Sequence, residues 1–240
     1  ESVLGYAKQV LQLVSDMKLS SKAFLDPYAG SLKLGVFPTL APYLLPCIVK
    51  SFRRQLPDLS LQLYEQVTGQ CIEGLLSGDL DAIIIATEIN DARVIGQDLF
   101  EESFYVVCDK KHALNQCASV TSKRLPEDQL LLLDEGHCLR DQSLDYCQRI
   151  DKRHNTSFAG TSLATILAMV GLGEGISLIP ALSVSATRSL GVTIKSFNSN
   201  GPMRKVQLYW RKSASRDPLL LKIAALIQQA VASKDGVKIL

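Results

Sequence analysis

The chain has 240 residues, of which 47% are hydrophobic and 21% charged, with a formal net charge of +2. That balance suits a soluble globular protein of one large or two small domains that can bury a core. A charge so small does not by itself imply nucleic acid, and the positive residues are dispersed: the pairs Arg53-Arg54, Lys110-Lys111 and Arg211-Lys212 read as solvated surface. No run of about 18 uncharged apolar residues offers a membrane span. The start, Glu-Ser-Val-Leu-Gly-Tyr, is not that of a secretory signal, and without an initiator Met a further N-terminal segment is expected. The six cysteines (47, 71, 108, 117, 138, 147) form no Cys-x-x-Cys, and His112, His137 and His154 do not fall at zinc-ligand spacing. No metal or other cofactor is expected. The cysteines are also too sparse for a disulfide scaffold, so in a cytosolic protein any disulfide would be a switch.

In chain order, residues 2–18 put Val3, Ala7, Val10, Leu11, Val14 and Met17 on one helical face with no partner inside the segment. They read as a docking or dimerising helix, the end of a linker helix over 1–19. Residues 20–30, with Pro27 and Gly30, read as a linker. An apolar strand is predicted over 32–37, an amphipathic helix over 43–56 and an alternating strand over 59–65. A helix over 68–76 closed by Gly78 and an apolar strand over 80–86 follow. This β-α-β-α-β order implies a parallel sheet with helices on its faces. Next come a strand over 103–108, a strand over 130–133, a helix over 139–150, a short strand over 156–158, a helix over 162–170 and a strand over 176–179. An edge strand over 192–197, a strand over 206–210 and a helix over 218–231 finish the chain. The fold class is α/β. Two similar units with crossovers near 100 and 200 imply two lobes around a cleft, the first from 31–100 plus 205–240 and the second from 101–204.

The segment Asp134-Glu-Gly-His-Cys-Leu-Arg-Asp-Gln142 carries the most chemistry. Gly136 allows a turn between strand and helix, and Cys138 then lies near a helix N-terminus, flanked by His137 and Arg140. Each of these features favours thiolate, the nucleophile of peroxide chemistry. Asp141 would orient Arg140 or accept a proton through water. The plainer alternative is a buried, inert Cys beside a surface His. Cys147, nine positions on, falls on one helical stripe with Leu139, Ser143, Tyr146 and Ile150. On a helix the two cysteines stand about 13 Å apart along the axis. A disulfide needs Cα atoms within roughly 7 Å, so a bond between them would have to unwind the helix.

Thr39 and Thr68 each follow a strand and precede a helix. Either they are N-caps, or they are a pair of hydroxyls facing the cleft at the carboxyl ends of parallel strands, where ligands bind. Arg204 is a surface Arg or a cation for the same cleft. Gly171-Leu-Gly-Glu-Gly175 sits after a helix and before a strand, the wrong order for a dinucleotide loop, and reads as a capping turn. No Walker A, His-Glu-x-x-His or Gly-x-Ser-x-Gly pattern occurs. Cys47, Cys71 and Cys108 read as packing residues and Cys117 as the most exposed, with no resolving partner implied for any of them.

The run Gly136-His-Cys-Leu-Arg-Asp-Gln142 with its second Cys resembles the redox loop of peroxide-sensing LysR-type transcriptional regulators. The likeness extends to Pro38-Thr-Leu-Ala-Pro-Tyr-Leu-Leu-Pro46, to Thr161-Ser-Leu-Ala-Thr165 and to Gly175-Ile-Ser-Leu-Ile-Pro-Ala-Leu182, and covers nearly the whole chain. It implies two Rossmann-like subdomains in a periplasmic-binding-protein-like (type 2) effector domain. It implies hydrogen peroxide held near Cys138 by Thr39 and Thr68 with help from His137 and Arg204, oxidation of Cys138 to a sulfenic acid, and resolution by Cys147. Arg140 and Asp141 would support the site. Further implications are a homodimer or homotetramer, promoter DNA bound through an N-terminal winged helix-turn-helix that this sequence lacks, RNA polymerase as partner, and a glutaredoxin- or thioredoxin-type reductant in the bacterial cytoplasm. The segment 196–205 matches loosely, which bears on Arg204. Three other readings share parts of this pattern. A LysR-type domain for a small organic acid would not need the Cys138/Cys147 pair, a thiol peroxidase would turn over, and a solute-binding protein would carry an export signal.

Overall fold

The computed structural model describes residues 26–240 except 122–124, 147–158, 161, 199–200 and 215, together with Val3, Tyr6, Ala7, Val10, Val14 and Met17. Those six N-terminal residues are helical and exposed.

Three parallel strands organise the first half. β1 (Gly30–Val36) lies between β2 (Leu59–Glu65) and β3 (Ala82–Ile85), with Leu34 opposite Leu63 on one side and Ala82 on the other. The Ala82-Ile-Ile-Ile85 run is buried throughout, as a strand covered on both faces must be. β2 ends the sheet and leaves Leu63 and Tyr64 exposed. Crossovers are made by α1 (Ala41–Gln55), which buries Leu44, Ile48 and Phe52 at helical spacing, and α2 (Thr68–Ser77), which buries Cys71 and Leu75. Gly78 ends α2 at φ +87°, a left-handed cap that a side chain would strain.

The long strand β4 (Val94–Cys108) joins the two halves. Its residues 94–103 run antiparallel to β9 (Met203–Arg211). Its residues 104–108 pair instead with β7 (Ser177–Pro180) and β8 (Thr193–Ser196). The exchange of partners falls beside Glu102, which is opposite Arg204 in register. The second half adds β5 (Leu132–Leu133) parallel to β6 (Ala159–Gly160), with α3 (Cys138–Tyr146), α4 (Leu163–Gly171) and α5 (Val184–Arg188). α6 (Asp217–Val231) then returns to pack against α1, and β10 (Val237–Ile239) closes the sheet as β10-β4-β9-β3-β1-β2. The α/β architecture is the one the element order implies.

Several expectations are corrected. The strand expected at 103 begins at Val94, and β10 was not anticipated. Residues 94–102 carry Gln97, Asp98, Glu101 and Glu102 among apolar residues, which hides the strand from a hydrophobic pattern. Arg211 is not solvated: it is buried and donates to the carbonyls of Leu75 and Leu80, both at 2.6 Å, capping the end of α2. The strand expected over 156–158 and the end of the helix expected over 139–150 lie outside the described residues.

Ile84 sits at the middle of the sheet with no exposure. Ile84→Ala is expected to lower unfolding free energy in urea by about 2–5 kcal/mol, because the surrounding strands cannot close the void.

Candidate functional site

The carboxyl ends of β1, β2 and β3 face the start of α3. Phe37, Pro38 and Thr39 follow β1, Val67 and Thr68 follow β2, and all five line one crevice with Gly136, His137 and Cys138. From α3, Gln142 donates to the carbonyl of Ala86, the residue after β3, at 3.2 Å. Gly136 turns the chain at φ +88°, a conformation a side chain would strain, and delivers Cys138 as the first residue of the helix. Cys138 is buried.

The hydroxyls were read either as caps or as cleft groups. They are not caps: α1 and α2 start after Leu40 and Val67, and neither helix has a side-chain cap. Thr39 is held by Arg204, whose Nη1 donates to the Thr39 hydroxyl at 2.9 Å and whose Nη2 donates to its carbonyl at 3.2 Å. With its oxygen accepting from Arg204, the Thr39 hydroxyl keeps its own proton to donate. The buried oxygen of Thr68 completes no hydrogen bond, although it stands close enough to the Cys138 thiol to favour thiolate.

Arg204 is not a surface residue. It lies with Glu102 in complete burial, Nη2–Oε1 2.7 Å and Nε–Oε1 2.8 Å, and is stacked between the rings of Phe37 (4.8 Å) and Phe104 (5.6 Å). The second oxygen of Glu102 accepts from the backbone N–H of Leu182 at 3.1 Å. Glu102 escaped the sequence reading. The only signal was an acid inside a strand bounded by Phe100 and Phe104.

Electrostatics correct the expected activation of Cys138. Burial dominates and pushes the thiol above its ordinary value. The charge of Arg204 opposes it most strongly, followed by the Thr68 hydroxyl and the Leu139 N–H, and the Asp141 carboxylate acts with burial. His137 supplies no cation, since burial depresses its pKa against a smaller opposing effect of Asp134. It stays neutral near pH 7. Arg140 donates to the Leu133 carbonyl at 3.0 Å. Arg140 therefore ties the start of the helix to β5, and the cation that favours the thiolate is Arg204, from the other end of the chain.

Helix α3 is continuous from Cys138 to Tyr146, about 12 Å of axis. Cys147 and His154 lie outside the described residues. Cys71 is a packing residue, as expected: it is fully buried in the apolar core of the first half.

The crevice as it stands has no room for a water-sized molecule, whereas an organic-ligand pocket has roughly 300–1,000 Å³. A wider groove of about 570 Å³ opens between the start of α1 and residues 181–188, and it shares no lining residue with the Cys138 crevice.

A family profile, the LysR substrate binding domain, matches residues 26–232. The chain belongs to the LysR family. This LysR domain is 36% identical over 236 residues to a probable hydrogen peroxide-inducible genes activator of Streptomyces viridosporus, covering 96% of this chain and 75% of that one. Its fold is similar to a reduced form of OxyR from N. meningitidis, with TM-score 0.79 and 35% identity over 88% of this chain and 99% of that one. It is also similar to a peroxide-bound OxyR variant of Corynebacterium glutamicum, with TM-score 0.82 and 28% identity over 97% and 74% of the two chains.

The raised pKa of Cys138 gives a pH dependence with a definite sign. Thiolate is the reactive form, so alkylation of Cys138 by iodoacetamide, read by mass spectrometry, is expected to speed up about tenfold per pH unit. It should still be rising above about pH 8.5, where an ordinary exposed thiol levels off.

Proposed function

We propose that this domain is the peroxide-sensing regulatory domain of an OxyR-type LysR transcriptional activator. The observation that carries the reading is a buried thiol beside two hydroxyls with unused hydrogen-bonding capacity, under the influence of the Arg204 cation, in a crevice too small for an organic effector. The small volume argues against a LysR domain for an organic acid. The kinship with transcription activators argues against a peroxidase.

In this reading one oxygen of hydrogen peroxide accepts from the Thr39 hydroxyl while Cys138 attacks the other. Arg204 favours the thiolate before attack, and Thr68 receives or returns a hydrogen bond at the sulfur. His137, neutral, can accept a proton. The peroxide O–O bond breaks, Cys138 becomes a sulfenic acid, and the leaving hydroxide departs as water after taking a proton. Cys147 then attacks the sulfenic sulfur and a second water leaves. Because α3 is helical as far as Tyr146, the new bond cannot form until the helix unwinds. That unwinding releases the Gln142–Ala86 and Arg140–Leu133 contacts, which tie the helix to the end of β3 and to β5.

The refolded segment would re-angle a homodimer or homotetramer that contacts promoter DNA through an N-terminal winged helix-turn-helix, and RNA polymerase through the bound complex. The half over 31–100 plus 205–240 and the half over 101–204 act as its two subdomains. The exposed, helical Val3, Val10, Val14 and Met17 suit the end of a dimerising linker helix. A glutaredoxin- or thioredoxin-type dithiol in the cytoplasm would reset the disulfide.

Stoichiometric hydrogen peroxide added to the reduced domain is expected to yield a Cys138–Cys147 disulfide by peptide mapping. Cys138→Ser should abolish it. A Cys138 that stays reduced at micromolar peroxide would overturn the reading.

A further inference from the structure

Glu102 is the one buried acid among the described residues, and the chemistry at Cys138 gives it no step. It does not border the crevice and meets Arg204 and Leu182 instead. Its Oε1 accepts from Nε at 2.8 Å and lies 2.7 Å from Nη2, so it takes one edge of the guanidinium and leaves Nη1 to the Thr39 hydroxyl. The Leu182 N–H holds the second oxygen at 3.1 Å, which fixes the plane of the carboxylate. Both side chains are fully buried, so no water screens the pair.

We propose that Glu102 is a positioning residue that sets the peroxide threshold: it aims Arg204 at Thr39 and offsets part of the guanidinium charge felt at Cys138. The inference rests on Cys138 being the peroxidatic residue. An unpaired cation would draw the buried thiol toward thiolate at resting levels of peroxide. Paired at under 3 Å with a carboxylate, the guanidinium acts at a distance as one end of a dipole, and its pull falls off faster than that of a lone charge. The site keeps the hydrogen-bond geometry of a cation without its full field. A sensor that must stay reduced between bursts of oxidant needs that combination.

The other groups around the pair leave this balance in place near neutrality. The strand neighbours Glu101 and Lys205 lie on the opposite faces of β4 and β9 and pair with Lys238 and Asp98. On α1, burial holds the Tyr43 phenol above its ordinary value, with Arg204 opposing and the Glu65 carboxylate adding. On α2, burial pushes the Cys71 thiol up to about 11. Both therefore stay protonated through the range in which Cys138 is assayed. On α3, His137 is neutral and the Asp141 carboxylate acts with burial on Cys138.

The test measures alkylation of Cys138 by iodoacetamide against pH in the parent and in Glu102→Gln, and beside it the rate of Cys138 oxidation by stoichiometric peroxide. Gln at this position can still accept from Arg204, but the charge is gone. The alkylation profile is expected to move to lower pH. Both rates at pH 7 should rise about threefold per pH unit moved, because thiolate gains tenfold per unit while its nucleophilicity falls. Local loosening would also lower the profile, so Glu102→Gln is repeated with Arg204→Met. That neutral pair is expected to move the profile above the parent's, since no cation then opposes burial. A profile lowered in both variants is loosening and overturns the inference. If Glu102→Gln does not fold, Glu102→Asp, which withdraws the carboxylate by one methylene, takes its place with the same direction expected. An unmoved or raised profile in the single variant, with Cys138 still oxidised by peroxide, overturns this inference and leaves the sensing role standing. A parent Cys138 that peroxide does not oxidise overturns the sensing role and the threshold with it, whatever the alkylation profile shows.

Discussion

The buried ion pair of Arg204 and Glu102 holds the site together. Two charges removed wholly from water are costly unless every donor and acceptor is used. Here Glu102 takes the guanidinium on one oxygen and the Leu182 N–H on the other, while Arg204 reaches the hydroxyl and the carbonyl of Thr39. The pair therefore fixes three segments at once: the point where β4 exchanges partners, the turn after β1, and the turn after β7. Its location makes structural sense. The two strands that carry it are register neighbours at the crossover, so the charges meet without any long side chain having to search for its partner.

That cation sits in a tension with burial. Cys138 lies in apolar surroundings that hold it as a thiol, and Arg204 counters without winning. A thiol kept mostly protonated is slow toward general electrophiles. A molecule that can also engage the two waiting hydroxyls has a lower barrier, since donors fixed in advance stabilise developing charge without reorganising. The crevice is too narrow as it stands to admit a water-sized molecule, so any ligand enters only after a side-chain movement. Selectivity for peroxide would then arise from size and hydrogen bonding together, and not from an unusually acidic cysteine.

Much of the fold was legible because apolar runs and helical stripes carry it. The 82–85 run, the α1 stripe at 44, 48 and 52, and the Gly78 stop all fall where the pattern puts them. The site was legible through its turns: residues after parallel strands converge at the strand ends, which brought Thr39 and Thr68 to Cys138. What escaped were effects of burial and of distant partners. His137 and Arg140 are adjacent to Cys138 in sequence, and adjacency suggested activation. Desolvation silences the first and a carbonyl claims the second. Glu102 escaped because nothing local marks it. Its role follows from strand register, which becomes visible only once the sheet order is known.

The account's central claim is that Arg204 poises the Thr39 hydroxyl to act on peroxide and not merely to pack. The most direct measurement compares two rates at Cys138, oxidation by hydrogen peroxide and alkylation by iodoacetamide, in the parent and in Thr39→Val, which preserves shape and removes the hydroxyl. The account predicts that oxidation slows by about tenfold or more while alkylation changes little. Equal slowing of both reactions, or no slowing of either, would contradict it.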